Sequence, residues 1–154
     1  MRVYLDNCCY SRPYDDQSST RVVLETQAKL KIQRLIKEGK VELASSYISL
    51  YECGRNTDSE ASRIVADFIN INSVAYVTSK NEEKIRDIAR GIMKSGIKFY
   101  DAYHVAAAIL SKADYFISVD KRLLRYETDE IKLINPVDFF LKEESEKFVE
   151  SEEV

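Results

Sequence analysis

Short runs rich in apolar residues alternate along the chain with longer segments of helical periodicity. The short runs predict five β-strands, at 3–5, 41–44, 74–77, 115–118 and 131–134. Apolar residues spaced three and four apart predict the main helices, at 20–38, 47–54, 81–94 and 101–112, with a further helix after Asp58. Strands that alternate with helices predict a parallel sheet covered on both faces, a three-layer α/β/α sandwich.

Two segments, one near each end of the chain, differ from this pattern. Asn7–Gln17 contains Pro13, acids and small polar residues, and is therefore predicted to be a loop. Pro136 begins a short final helix through Phe140. The acidic stretch beyond Leu141 is interpreted as a frayed helical extension or a solvated tail. We expect one domain over 1–141 and an acidic C-terminal extension over 142–154.

Composition is that of a folded domain, with 45% hydrophobic and 32% charged residues among 154. No apolar run approaches the roughly 20 residues of a membrane helix, and no signal-like stretch follows Met1, so we expect a cytoplasmic protein without membrane association. Cys8, Cys9 and Cys53 form neither a disulfide framework nor a zinc motif, and are expected to be reduced and packed.

Charge is unevenly distributed. The net charge is −3, but residues 142–154 contain six acids and two bases, so residues 1–141 carry a net charge of +1. A nearly neutral body neither supports nor excludes a phosphate-rich ligand.

Four acids follow or flank the predicted strands. Asp6 and Asp120 come directly after the first and fourth strands, and the other two are Glu52, on the helix after the second strand, and Asp101, which opens the helix before the fourth. Ligands of open α/β sheets collect at the carboxyl ends of the strands, so these side chains could share one cleft.

Each acid also has a purely structural interpretation. Asp6 and Asp120 suit turns, Asp101 suits a helix N-cap, and Glu52 suits a solvated helix position. Grouped carboxylates, however, raise one another's pKa and are best tolerated around a cation. Oxygen ligands without a His/Cys cluster favour Mg²⁺ or Mn²⁺, which activates water against a phosphate ester.

Four segments carry a resemblance to a known family. These are YLDNCC (4–9), SSYISLYE (45–52), YDAYHVAAAI (100–109) and ADYFISVDKRL (113–123). The ordered set resembles the acidic motifs of PIN-domain nucleases, including VapC-type toxins, over residues 2–139. The resemblance implies a Rossmann-like fold, Mg²⁺- or Mn²⁺-dependent hydrolysis of RNA by Asp6, Glu52, Asp101 and Asp120, frequent homodimers, and in toxins an antitoxin partner. The long Asn7–Gln17 segment departs from typical toxins and indicates a separate subgroup.

Further residues are assigned supporting roles. Ser118 and Asn7 are expected to hydrogen-bond the acids or their water, and His104 is expected to pack or hydrogen-bond rather than act as a base. Four cations near the acidic edge are candidates for phosphate contacts: Arg12, Lys98, Lys121 and Arg122. The ten tyrosines could stack on single-stranded RNA, although core packing explains them equally well.

The leading hypothesis is thus a metal-dependent ribonuclease, as the toxin of a toxin–antitoxin pair. A non-catalytic PIN-fold module that binds a protein partner is the alternative. A receiver-like phosphoryl-transfer domain is a third hypothesis, because such domains also place acids at strand ends.

Overall fold

The computed structural model describes the backbone of residues 1–152 and the side chains of residues 1–146. In this part of the chain five strands form one sheet, all parallel, in the order β3-β2-β1-β4-β5. The strands are β1 (Arg2–Leu5), β2 (Glu42–Ser46), β3 (Ser73–Val77), β4 (Tyr115–Ile117) and β5 (Lys132–Ile134). The predicted parallel sheet is confirmed.

Helices connect the strands and cover both faces of the sheet. They are α1 (Asn7–Ser11), α2 (Thr20–Lys37), α3 (Tyr47–Gly54), α4 (Ser59–Asn72), α5 (Glu82–Met93), α6 (Phe99–Leu110) and α7 (Pro136–Glu152). Asp58 caps α4 as predicted, since its Oδ1 accepts the Ala61 N–H at 3.1 Å. No helix among the described residues is both long and apolar enough to cross a membrane.

The alternating side chains of β1 separate two apolar layers. Val3 and Leu5 pack with Ile32 of α2 and Ile69 of α4 on one face. Tyr4 points to the other face and joins the layer built by α5 and α6. Side chains alternate across a strand, so β1 is buried on both sides, as expected for the centre of a parallel sheet. The predicted three-layer α/β/α architecture is therefore confirmed.

The segment after Asp6 is not the loop that the sequence predicts. It forms α1, followed by a 3₁₀ turn at Arg12–Tyr14. Cys9 and Tyr10 on α1 are almost fully buried, and burial of these side chains stabilises the helix. The polar residues around them are typical of a loop, which is why the sequence pattern does not predict it. Pro13 is tolerated because it lies in the first positions of the 3₁₀ turn, where no N–H bond is needed.

The last helix includes most of the acidic stretch, as the first of the two alternatives predicts. It continues past Phe140 to Glu152, so the acidic segment from residue 142 prolongs α7, and residues 153–154 lie outside the described residues. Phe139 is fully buried, and the Lys142 ammonium lies 4.9 Å from the centroid of the Tyr115 ring and bonds its hydroxyl. These contacts extend the helix beyond the point where its apolar pattern ends.

A buried carboxylate joins the 3₁₀ turn, α2 and the start of α7. Glu25 is 1% exposed, and Arg12 Nη2 donates to its Oε1 at 2.8 Å. Arg21 Nε lies 3.3 Å from its Oε2, to which Asn135 Nδ2 donates at 2.5 Å. Because two guanidinium groups and an amide satisfy this buried charge, removing it would leave cations without their partner.

We therefore expect Glu25→Ala to lower the free energy of unfolding by about 3–5 kcal/mol, measured by urea denaturation. The matched control is Glu42→Ala, which removes the half-exposed partner of Arg2 in a surface ion pair of 3.1 Å. Such a pair is worth at most about 1 kcal/mol. Equal losses in the two variants would contradict the structural role assigned to Glu25.

Candidate functional site

Asp6 lies immediately beyond β1, the central strand, and is only 5% exposed. Its N–H donates to the Ile117 carbonyl at 2.9 Å, which continues the ladder to β4 by one residue. Its Oδ2 accepts from Ser118 Oγ at 2.8 Å and from Cys8 Sγ at 3.3 Å. Backbone and side chain are both held, so the carboxylate has a fixed orientation at the carboxyl edge of the sheet.

Ser118 connects two of the predicted acids. It is fully buried, and its Oγ also accepts the backbone N–H of Asp120 at 3.1 Å. Ser118 thus hydrogen-bonds the side chain of one predicted acid and the backbone of another, and its part in a metal site stays a prediction. Cys8, which was expected only to pack, adds a second bond to Asp6 through its thiol.

Asp120 forms the turn after β4. Its Oδ1 accepts the backbone N–H of Arg122 at 2.9 Å and lies 3.4 Å from that of Leu123. The structural interpretation of Asp120 as a turn residue is therefore correct for one of its oxygens. A carboxylate offers two oxygens and several lone pairs, so this role is compatible with a further ligand.

Glu52 is held by the single histidine of the chain. His104 Nε2 donates to Glu52 Oε1 at 2.9 Å, since a carboxylate only accepts, and Nδ1 shares a 2.8 Å hydrogen bond with the Tyr4 hydroxyl. The Tyr4 oxygen in turn lies 2.6 Å from Ser46 Oγ. His104 is 1% exposed, so the predicted hydrogen-bonding role is confirmed and Glu52 is not a freely solvated helix residue.

Electrostatics around His104 favour its protonated form. Burial acts to lower its pKa, but the Tyr4 oxygen and the Glu52 and Asp6 carboxylates outweigh burial and raise the pKa of His104 above its ordinary value. The imidazole therefore acts as a fixed donor to Glu52 from the floor of the site.

Asp101 is the third residue of α6, whose N-cap is Lys98. The interpretation of Asp101 as a helix N-cap is therefore wrong. Burial and then the charges of Asp6 and Asp120, with a smaller addition from Glu52, raise the pKa of Asp101 from 3.8 to about 6, although His104 acts to lower it. The charge of each of the other three acids thus acts on this carboxyl.

Asn7 contacts different groups from those expected. Its Nδ2 donates to the Ser49 carbonyl at 3.0 Å and lies 3.7 Å from Cys53 Sγ, while its Oδ1 is buried with no hydrogen-bond partner among the described residues. The amide thus ties α1 to α3, the helix that carries Glu52, instead of bonding the acids.

The four candidate cations fall into two groups. Arg12 is occupied by Glu25 and Asp15 within the fold. Within the described part of the chain, the other three make no ion pair: Lys98, Lys121 and Arg122. These three are free to meet an anion at the acidic edge, whereas Arg12 already has partners.

The donor set fits a hard divalent cation that keeps part of its water shell. Among the described side chains, no three acids, histidines or cysteines are close enough to ligate one ion jointly. Mg²⁺ commonly binds through one or two carboxylates and several waters, so it does not require such a cage. One such cation would offset the repulsion that Asp6 and Asp120 exert on the ionised carboxyl of Asp101.

Comparison with known proteins identifies the family. The family model described as PIN domain matches residues 3–128. No curated protein matches the chain. Among solved structures, VapBC2 from Rickettsia felis, bound to a DNA fragment from its promoter, is similar with a TM-score of 0.53 at 16% identity, covering 88% of this chain and 98% of that one.

FitAcB from Neisseria gonorrhoeae has a TM-score of 0.48 at 18% identity, covering 87% of this chain and 97% of that one. The family assignment itself comes from the domain match, which spans most of the chain and includes the positions of all four predicted acids. The chain belongs to the PIN domain family.

Proposed function

We propose that this protein is a ribonuclease that depends on Mg²⁺ or Mn²⁺. The observation that carries the proposal is geometric: the buried Ser118 Oγ donates to Asp6 and accepts the backbone N–H of Asp120, which ties two of the four acids to one point beyond the sheet. Burial, and then repulsion by Asp6, Asp120 and Glu52, also raise the pKa of Asp101 to about 6. A bound cation would relieve this repulsion. The residues proposed to hold it, directly or through water, are Asp6, Glu52, Asp101 and Asp120.

The surrounding side chains would keep these acids in position. Ser118 and Cys8 orient Asp6, and His104 orients Glu52. When bound, the cation would supply an activated water and neutralise charge that develops on the phosphate. Lys121 and Arg122, which follow Asp120 directly, are proposed to contact the phosphate backbone of the substrate.

RNA as the substrate and a toxin–antitoxin role are also proposals. RNA follows from the resemblance of the four acidic motifs to PIN-domain nucleases. An antitoxin partner is supported by the R. felis VapBC2 structure, whose fold is similar. A homodimer, and an antitoxin whose C-terminal peptide blocks the acidic cleft, are proposed from the resemblance alone. The acids would then be the surface that the partner must cover.

Removing one acid should abolish catalysis and preserve the fold. We expect purified protein to cleave single-stranded RNA with Mn²⁺ or Mg²⁺, EDTA to stop cleavage, and Asp101→Asn to lower the rate by about a hundredfold or more. Asp67→Asn on the exposed face of α4 is the matched control and should cleave normally. Equal cleavage by wild-type and Asp101→Asn protein would refute the assignment. Calorimetry with no divalent-ion binding would favour the non-catalytic module.

Ser118 should act through the acid that it holds. We expect Ser118→Ala to weaken Mn²⁺ binding by about 10–100-fold, because Asp6 loses its 2.8 Å donor, with calorimetry as the measurement. Ser111→Ala, a buried serine that bonds the Ala108 carbonyl, should leave Mn²⁺ binding unchanged. If both serine variants bind Mn²⁺ like the wild-type chain, Ser118 has no role in positioning the site.

A toxin should stop growth through the same acids. We expect induction of the wild-type chain in a bacterial host to arrest growth, and induction of Asp101→Asn at matched protein level to have no effect, as judged by growth curves. Co-expression of the proposed antitoxin should restore growth, and the antitoxin should co-purify with the chain. Normal growth with active wild-type nuclease would contradict the toxin role and leave the nuclease assignment intact.

A further inference from the structure

Four side chains next to the acids form an exposed aromatic and cationic surface. Tyr51, Phe99 and Tyr100 are 55%, 51% and 38% exposed, and Arg55 lies among them; we call these four residues the aromatic surface. Single exposed aromatics are ordinary, but a contiguous group marks an interaction site. Tyr51 directly precedes Glu52 in the chain, and Tyr100 directly precedes Asp101.

The rings are arranged as a layered group. Tyr51 and Tyr100 are stacked, with centroids 6.3 Å apart and planes inclined by 19°. Phe99 stands perpendicular to Tyr100 at 5.4 Å and is itself stacked on the buried Tyr103 at 4.3 Å. This second contact anchors the exposed rings to the core, so their positions are fixed by packing.

Arg55 completes the surface. Its guanidinium carbon lies 5.9 Å from the Tyr51 centroid and 5.7 Å from that of Tyr100, and Nη1 donates to the Tyr100 hydroxyl at 3.3 Å. Arg55 also lines a cavity of about 430 Å³ that has Glu52 on its wall. The aromatic surface is therefore continuous with the acidic site.

Two cations without an ion pair lie beside these rings. Among the described residues neither Arg55 nor Lys98, which precedes Phe99, makes an ion pair. Glu82, which lines a pocket with Phe99, lies 3.6 Å from Arg86. The other neighbouring acids, Glu52 and Asp101, belong to the set proposed to hold the cation, which would offset their charge. Exposed rings can stack on the bases of a single-stranded nucleic acid while neighbouring cations contact its phosphates.

We propose that the aromatic surface stacks unpaired bases of single-stranded RNA and so places the strand across the acids. This inference rests on the proposed ribonuclease function and names the residues that position its substrate. Bases inside a duplex stack on one another and are not available to protein rings, so the surface selects single strands over duplexes.

The test measures binding without cleavage. In EDTA, fluorescence anisotropy of a short labelled single-stranded oligoribonucleotide should show binding that weakens roughly tenfold or more in Tyr100→Ala and in Tyr51→Ala. Tyr100→Phe keeps the ring and should bind nearly as the wild-type chain does. Tyr14→Ala removes a tyrosine that is 51% exposed on the 3₁₀ turn, and should bind normally. Unchanged binding in both Tyr51→Ala and Tyr100→Ala would overturn the proposal.

A spectroscopic readout reports stacking itself. The chain contains no tryptophan, so Tyr100→Trp introduces a single tryptophan at the surface, whose emission can be excited apart from that of the tyrosines. We expect its emission to be quenched by the single-stranded oligonucleotide and not by a duplex of the same sequence. Equal quenching by both ligands, or none by either, would contradict single-strand stacking.

The outcomes separate this inference from the function on which it rests. Loss of RNA binding in Tyr100→Ala, in a protein that never cleaves RNA, would support the stacking surface and refute the nuclease. If Tyr100→Ala cleaves RNA and binds it normally, the nuclease is supported and the stacking surface is refuted. If Tyr51→Ala changes a dimer to a monomer in sedimentation and leaves RNA binding intact, the surface is an interface between copies and the proposal fails.

Discussion

Repulsion between carboxylates at the carboxyl edge of a parallel sheet is the constraint on which this molecule depends. Burial, and then the charges of Asp6 and Asp120, raise the pKa of Asp101 to about 6. No three of the acids are close enough, among the described side chains, to ligate one ion jointly, yet the charges of the other three still act on Asp101. Hydrogen bonds from Ser118 and His104 hold Asp6 and Glu52 in place. Such repulsion costs stability without a cation, and the proposed cation would offset it.

Stability and chemistry use buried polar groups in different ways. Glu25 is a buried acid surrounded by donors from three segments, so its charge is compensated within the chain. The acids at the sheet edge are compensated only in part. Arg12 was predicted to contact phosphates near the acidic edge. It instead compensates the buried charge, because its guanidinium is bound to Glu25. Compensation of charge therefore distinguishes the structural acids from the proposed catalytic ones.

Much of the fold could be predicted from the chain, because apolar periodicity reports which faces are buried. All five strands lie where the pattern predicts them, and the rule for parallel sheets correctly placed Asp6 and Asp120 at the ends of β1 and β4. Helix α1 was missed because two buried side chains, Cys9 and Tyr10, stabilise it within a polar segment.

Contacts between distant residues could not be predicted. The bond from His104 to Glu52 spans 52 residues of sequence, and its existence depends on the packing of α3 against α6. The thiol of Cys8 reaches Asp6 only because α1 turns it back toward the strand. The exposure of Tyr51 and Tyr100, among ten tyrosines, likewise becomes visible only in three dimensions.

A crystal of this protein grown with Mn²⁺ and measured at the manganese absorption edge tests the central claim most directly. The account predicts an anomalous peak at the carboxyl edge of the sheet, with Asp101 and at least one of Asp6 and Asp120 coordinating the ion directly or through water. Manganese bound only elsewhere, or absent from that edge at saturating concentration, would contradict it.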